Sequence, residues 1–201
     1  MPRKISILLL SLSLIFSSGC RNSRQIENAA IIENVSVTVE GGQIRYTFYR
    51  LSEGEKPWGV TVRAESFEKA CKKAREMYIP NMSLAKLELL MINERLQSRI
   101  MKQDVEYISQ NSFFSPIAYV TLCDGKTMRK LDAEERVQDV IEEQLILLKK
   151  NKPQVCIDYL SVFNHLEREC EGFYVPLIRC DGEIRVTAKR IYADKTQKNE
   201  K

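Results

Sequence analysis

The 201-residue sequence has few of the residues on which most catalytic and metal sites depend. It contains one histidine, His165, and its cysteines form neither a CxxC pair nor a Cys/His cluster with zinc-site spacing. A Ser-His-Asp triad would have to use His165, but no GxSxG nucleophile motif is present. Gly41-Gly42 lacks the GxGxxG and GxxxxGK patterns that cradle phosphate. We therefore expect no enzyme activity and no bound cofactor or metal, and a structural or solvated role for His165 on a helix.

The charge balance is also modest. A net charge of +4 is too small to indicate nucleic-acid binding, and it falls further if Arg3 and Lys4 are removed with a leader. The paired carboxylates Glu134-Glu135 and Glu142-Glu143 are predicted to lie on a solvated helix surface beside lysines and arginines. Residues 194–201 are predicted to be a disordered polar tail.

The N-terminus carries the most informative local pattern. Arg3 and Lys4 precede an apolar run over residues 5–16, which is too short to cross a bilayer, and Ser17-Ser18-Gly19 follows it. This arrangement predicts a signal peptide over residues 1–19. Cys20 comes directly afterwards, as in a bacterial lipobox, where the thiol accepts a diacylglycerol. We therefore predict lipidation at Cys20 and a mature chain anchored at the extracytoplasmic face of a membrane. An ordinary signal peptide with a cysteine near its end is the alternative.

If Cys20 is lipidated, five cysteines remain, and five cannot all pair within one chain. Three of them lie on apolar faces of predicted helices or at a strand end and are expected to be buried free thiols: Cys71, Cys123 and Cys156. Cys170 and Cys180 flank a short predicted strand and could form a disulfide.

Apolar periodicity predicts the secondary structure. Alternation over residues 31–40 and 44–48, around Gly41-Gly42, predicts a β-hairpin. Ser66 is expected to cap a helix that buries residues from Phe67 to Met77. Later patterns predict a strand over 84–92, a helix capped by Asn93, a strand over 117–122 closed by Asp124-Gly125, helices over 130–150 and 155–169, and strands over 173–178 and 184–192.

This order predicts an α/β (α+β) fold with a mixed sheet and packed helices. We divide the mature chain into an N-terminal mixed-sheet domain over residues 20–128, which opens with the hairpin, and a smaller helix-helix-strand-strand region over 129–193. The second region is expected to pack on the first domain or to continue it.

Several short motifs occur along the mature chain in a distinctive order and spacing. Near its start these are Arg24, Ile26, Ala30 and Ile31. Later motifs are Val60-Thr61-Val62 before Ser66 to Ala70, Gly125-Lys126 with Leu131, Val175-Pro176-Leu177, and Ile191-Tyr192 with Asp194-Lys195. In this order and spacing, the motifs resemble those of the Ger(x)C spore germination lipoproteins, and the matches cover most of the mature chain.

The resemblance implies a function. Ger(x)C proteins are the C subunits of GerA-type nutrient germinant receptors, non-catalytic lipoproteins that sit outside the spore inner membrane beside two integral membrane subunits. The resemblance implies that this chain is a lipid-anchored receptor subunit and that those membrane proteins are its partners. It also implies that the chain is a short member of the family that lacks the C-terminal part. The alternative is an extracytoplasmic lipoprotein that acts as an envelope adaptor or binding protein unrelated to sporulation.

Overall fold

The computed structural model describes residues 29–50, 58–96, 104, 107–108, 110, 114–131, 137–167 and 172–192. Their strands are β1 (Ala30–Ile31), β2 (Asn34–Glu40), β3 (Gln43–Arg50), β4 (Trp58–Arg63), β5 (Met82–Ser83), β6 (Leu89–Asn93), β7 (Tyr119–Cys123), β8 (Phe173–Cys180) and β9 (Ile184–Ile191). Their α-helices are α1 (Phe67–Met77), α2 (Gly125–Leu131), α3 (Val137–Asn151) and α4 (Tyr159–Glu167), and Glu94–Leu96 forms a 3₁₀ turn.

Seven strands form one mixed sheet in the order β4-β3-β2-β6-β7-β8-β9. The four central strands, β2, β6, β7 and β8, are parallel, and each edge is an antiparallel addition: β3 and β4 on one side, β9 on the other. β1 and β5 form a separate parallel pair. Parallel neighbours need crossover connections, which helical segments supply here. The predicted α+β fold with a mixed sheet is confirmed.

Local sequence chemistry explains the first hairpin and the first helix. Gly41 and Gly42 have φ angles of 57° and 77°, which glycine adopts without the steric cost that other residues have. The Ser66 hydroxyl accepts a hydrogen bond from the Lys69 amide at 3.3 Å and so caps α1 as predicted. Within α1, however, Met77 is exposed instead of joining the buried face.

The two faces of the sheet pack against different partners. On the first face, α1 and α4 cover a large core that includes Val37, Phe48 and Phe67. On the second face, α2 and α3 cover a smaller cluster over the half formed by β6 to β9. That cluster consists of Leu89, Met91, Cys123, Met128, Ile141, Leu145 and Ile178.

Several predicted boundaries were wrong. The strand expected over 84–92 is confined to β6, because the backbone turns at Leu84 to Leu87 before pairing begins. Asn93 ends that strand, and its side chain accepts from the Arg95 amide, so it caps only a 3₁₀ turn. Of the helix expected beyond it, Ile100 and Val105 lie outside the described residues.

The helices of the C-terminal region also differ from prediction. Asp124-Gly125 starts α2 instead of closing a turn, so this helix begins before the predicted start at residue 130. Most of the helix expected over 130–150 is α3, and residues 132–136 lie outside the described residues. The last helix begins at Tyr159, not at Val155, because Val155 forms a bridge to Tyr174. β8 and β9 extend the sheet that begins in the N-terminal region, and residue 128 lies inside α2. The domain boundary at 128 stays a prediction.

Candidate interaction surface

His165 packs against its own helix. Its Nδ1 lies 2.9 Å from the Ser161 carbonyl oxygen and 3.5 Å from the sulfur of Cys156, and its ring centroid is 5.4 Å from that of Phe173. A carbonyl oxygen can only accept, so Nδ1 must donate to it and cannot also take the thiol proton. The Cys156–His165 pair is therefore not arranged as a nucleophile and its base. These contacts fit the predicted structural role of His165.

The carboxylates singled out in the sequence take different positions. Glu143 is exposed, but Glu142 accepts a hydrogen bond from the Tyr119 hydroxyl at 3.1 Å. Burial, and then this hydrogen bond, raise the pKa of Tyr119. Glu134-Glu135 lies outside the described residues. Across the part of the chain that the structure describes, no group of three or more His, Cys, Asp or Glu side chains could hold a metal ion.

Ion pairs join charged side chains at the carboxyl ends of the parallel strands. Arg179 lies 3.3 Å from both Glu94 and Asp124, and Lys189 lies 3.1 Å from Glu94. Burial raises the pKa of Asp124, but hydrogen bonds from the Thr127 and Lys126 amides, the Thr127 hydroxyl and the charge of Arg179 lower it overall. This edge is where open α/β sheets often bind ligands. Here its charges pair with one another.

A buried carboxylate links distant parts of the first face. Asp104 accepts from the Tyr46 hydroxyl at 2.9 Å and from the Phe67 amide at 2.8 Å, so it satisfies the first amide of α1. Burial raises the pKa of Asp104 to about 6, against the lowering effect of both hydrogen bonds. Asp104 has no local sequence signal, because its partners Tyr46 and Phe67 lie far away in the chain.

The helix α3 carries apolar side chains on both sides. Ile141, Leu145 and Leu148 are buried against the sheet. Val140, Ile146 and Leu147 point outward and are 43–60% exposed; we call these three residues the α3 surface. Clusters of exposed apolar side chains on a folded domain are typical of protein contacts. This arrangement can bind another protein but carries no chemistry of its own.

The cysteines are placed as follows. Cys71, Cys123 and Cys156 are buried, as predicted, and burial raises the pKa of Cys71 to about 12. Cys180 is also buried, at the end of β8. Cys20 and Cys170 lie outside the described residues, so the lipidation and the Cys170–Cys180 disulfide stay predictions. None of the helices among the described residues has the length and apolarity needed to cross a membrane.

Comparison with known proteins identifies the family. No curated protein and no solved structure matches the chain at a significant level. The family model described as "Spore germination protein N-terminal domain" matches residues 22–179, which is well over half of the chain. The match begins two residues after Cys20 and runs through the central parallel strands and α1 to α4 into β8. The chain therefore belongs to the Ger(x)C family of spore germination proteins.

Proposed function

We propose that this protein is a lipid-anchored, non-enzymatic subunit of a spore nutrient germinant receptor. The observation that carries the proposal is the family match over residues 22–179. The contacts of His165 and the self-paired charges of Arg179, Glu94 and Asp124 support a binding role over a catalytic one.

The membrane anchor is assigned to Cys20. Two acyl chains on one residue would hold the protein stably, whereas a single chain gives only marginal binding. The apolar run over residues 5–16 directs the chain across the membrane, and the anchor then keeps the mature domain at the outer face of the spore inner membrane. The integral membrane subunits of the receptor are the partners that this position makes available.

Replacing Cys20 with serine tests the anchor, because the hydroxyl cannot accept the diacylglycerol. We expect Cys20→Ser protein to fold normally but to stay unprocessed or to appear in the soluble fraction, with germination lost through misplacement. A clickable palmitate analogue followed by membrane fractionation measures this. A wild-type protein that takes up no label, or a variant that labels and sediments like wild type, would refute the lipid anchor.

The α3 surface is assigned to the contact with the membrane subunits. Substituting Leu147 with glutamate places a charge where apolar contact is needed, and it leaves the buried side of α3 unchanged. We expect Leu147→Glu spores to germinate poorly with nutrients while the variant is still lipidated and present. Gln154→Glu is the matched control, since it adds the same charge at an exposed position after the end of α3, outside the α3 surface.

Co-purification from spore membranes decides between this function and the envelope adaptor. Wild-type protein should recover multispan receptor subunits, and Leu147→Glu should recover fewer of them. Normal nutrient germination in a deletion strain that has no paralogue would count against the receptor role. Synthesis only during vegetative growth would favour the adaptor.

A further inference from the structure

The chain enters the described fold at one particular end. The first strand, β1, pairs with β5, and the Ala30 amide donates to the Asn81 carbonyl oxygen at 3.0 Å. Three residues before Asn81, Tyr78 forms the C-cap of α1. The segment that arrives from Cys20 therefore reaches the fold beside the C-terminal end of α1.

Backbone hydrogen bonds join the segments that lie at this same end of the fold. The Glu88 amide donates to the Glu33 carbonyl at 2.8 Å, and the Tyr119 amide donates to the Glu88 carbonyl at 2.7 Å. These residues lie at the starts of β2, β6 and β7, so they form the amino end of the parallel strands. The Leu160 amide donates to the Pro116 carbonyl at 3.3 Å, which brings the start of α4 to the same end.

Four large apolar side chains are exposed on this end. Met77, Tyr78, Ile117 and Leu160 are 50–77% exposed. We call them, with the backbone that joins them, the amino-end surface. An open groove of about 440 Å³ lies within it, between the residues before β6 and those before β7. Lys86, Ile117 and Tyr119 line the groove, together with the carboxylates of Glu88 and Glu142. Lys86 and, at the end of α1, Arg75 add exposed cations.

The length of the tether limits what this surface can meet. From Cys20 to Ala30 the chain can extend at most about 35 Å. If Cys20 is acylated, the amino-end surface is the part of the described fold held nearest the bilayer. Tyrosine favours the membrane–water interface because its ring is apolar and its hydroxyl is polar. Lysine and arginine can keep their charges in the headgroup layer while their stems lie along apolar groups.

We propose that the amino-end surface docks directly on the lipid bilayer, so that the domain lies on the membrane in one orientation instead of swinging freely from its anchor. The occupant is the headgroup and upper acyl layer, which buries Met77, Tyr78, Ile117 and Leu160. This inference rests on the lipid anchor of the proposed function. It adds an orientation, with the carboxyl ends of the parallel strands, near Asp181, facing away from the membrane.

Quenching by brominated lipids tests this orientation. The chain has a single tryptophan, so a Trp58→Phe background can carry one reporter at a time. Tyr78→Trp places the reporter on the amino-end surface, and Asp181→Trp, an exposed position in the β8–β9 turn, is the matched control. Each full-length protein is reconstituted into phosphatidylcholine vesicles with and without brominated acyl chains.

We expect the emission at position 78 to shift to shorter wavelength and to be quenched by the brominated lipid. The emission at position 181 should change little. Equal quenching at both positions, or none at position 78, would overturn the proposal. Shielding at position 78 that appears only in native spore membranes would assign the surface to a protein partner and would also overturn bilayer docking.

A second arm separates docking from anchoring. If the wild-type chain takes up no palmitate label, coupling Cys20 to a maleimide-bearing lipid restores the tether, and the same quenching comparison still decides the docking. The double variant Met77→Gln/Tyr78→Gln is then made in a chain that carries a tryptophan reporter at position 117 (Ile117→Trp). With either tether, the brominated lipid should no longer quench this reporter, and the circular dichroism spectrum of the variant should be unchanged. Retained quenching in that variant would refute the role of α1 in docking, whatever the outcome of germination assays.

Discussion

The two faces of the seven-stranded sheet are covered to different extents. The first face carries one continuous core from β4 to β9, in which Phe67 and the buried Asp104 contact β3. The second face is apolar over β6 to β9, where α2 and α3 cover it. On its other half, over β2 to β4, Thr47, Tyr49 and Thr61 are only partly buried.

The two faces should therefore differ in how much they stabilise the fold and in how well they tolerate substitution. Alternation along each strand sends one set of side chains to each face, so residue type decides how strongly a face is covered. The first face should supply most of the stability. The open half of the second face should tolerate change, because little apolar area is buried there. Substitutions on the two faces should therefore differ in their cost to the free energy of unfolding.

Removing the Phe67 ring should have the largest effect. The ring is fully buried, with centroids 5.7–6.2 Å from the rings of Tyr46, Phe48, Tyr107 and Phe114. We expect Phe67→Ala to lower the free energy of unfolding by about 3–5 kcal/mol in urea denaturation, because it leaves a cavity. Phe67→Leu, which keeps most of the volume, should cost clearly less. Equal losses for the two variants would contradict a packing role for the ring.

The buried carboxylate of the first face should make stability depend on pH. The pKa of Asp104 in the fold is about 6, above its ordinary value of 3.8, so the folded state binds the proton more tightly than the unfolded state. Its contribution therefore increases as pH falls from 6 towards 4 and is lost as pH rises, by on the order of 2–3 kcal/mol.

Asp104→Asn should remove that dependence. The measurement is the difference in unfolding free energy between wild type and variant across pH 4 to 7. The groups near the carboxylate are the Tyr46 hydroxyl, the Phe67 amide and the Cys71 thiol. Asp124→Asn is the control of opposite sign, and it is followed below pH 4, because the pKa of Asp124 is lowered from its ordinary 3.8 and its contribution is lost as pH falls through that lower range. A pH-independent difference for Asp104→Asn would refute the assignment.

On the covered half of the second face, two neighbouring leucines of α3 form a matched pair. Leu145 is fully buried against the sheet, and Leu147 is exposed. We expect Leu145→Ala to cost about 2–3 kcal/mol. Leu147→Ala should change stability by less than about 0.5 kcal/mol. Thermal unfolding followed by circular dichroism compares the two. Similar losses would mean that the outer side of α3 is packed after all.

The open half of the second face should respond least. The Thr47 and Thr61 hydroxyls lie 3.0 Å apart across β3 and β4, and both side chains are partly exposed. We expect Thr47→Ala to cost no more than about 1 kcal/mol, since a cross-strand pair contributes little at such a site. A Thr47→Ala/Thr61→Ala double-mutant cycle measures the coupling. A loss as large as that of Leu145→Ala would show that this half is as important to the fold as the covered half.

Local features of this fold could be predicted to within a few residues. Gly41-Gly42 between alternating apolar runs predicted the first hairpin, and Ser66 predicted the start of α1. Asp124 was misassigned, because Asp-Gly is equally compatible with a turn and with a helix start. In the structure, the Thr127 hydroxyl of α2 accepts a hydrogen bond from the Cys180 amide at 3.0 Å. This contact with the end of β8 stabilises the helix start over the turn.

The candidate surfaces were harder to predict than the fold. Met77 belongs to the apolar periodicity of α1, yet it is exposed because no described element extends over the last turn of the helix. Val140 directly precedes the buried Ile141 in the apolar pattern of α3, yet it is exposed. Periodicity identifies an apolar stripe, but which part of a stripe is covered depends on how far its neighbours reach.

Short-range sequence patterns were enough for the glycine hairpin, the capped helix and the family likeness; they also predict a leader over residues 1–19 and contain no catalytic motif. These follow from residues adjacent in the chain or one turn apart. The tertiary structure alone decided the parallel order of β2, β6, β7 and β8, the burial of Asp104 against Tyr46, and the gathering of exposed apolar residues at the amino end. Each of these depends on contacts between residues far apart in sequence, whose energy comes from burial in the assembled core and not from local conformational preference.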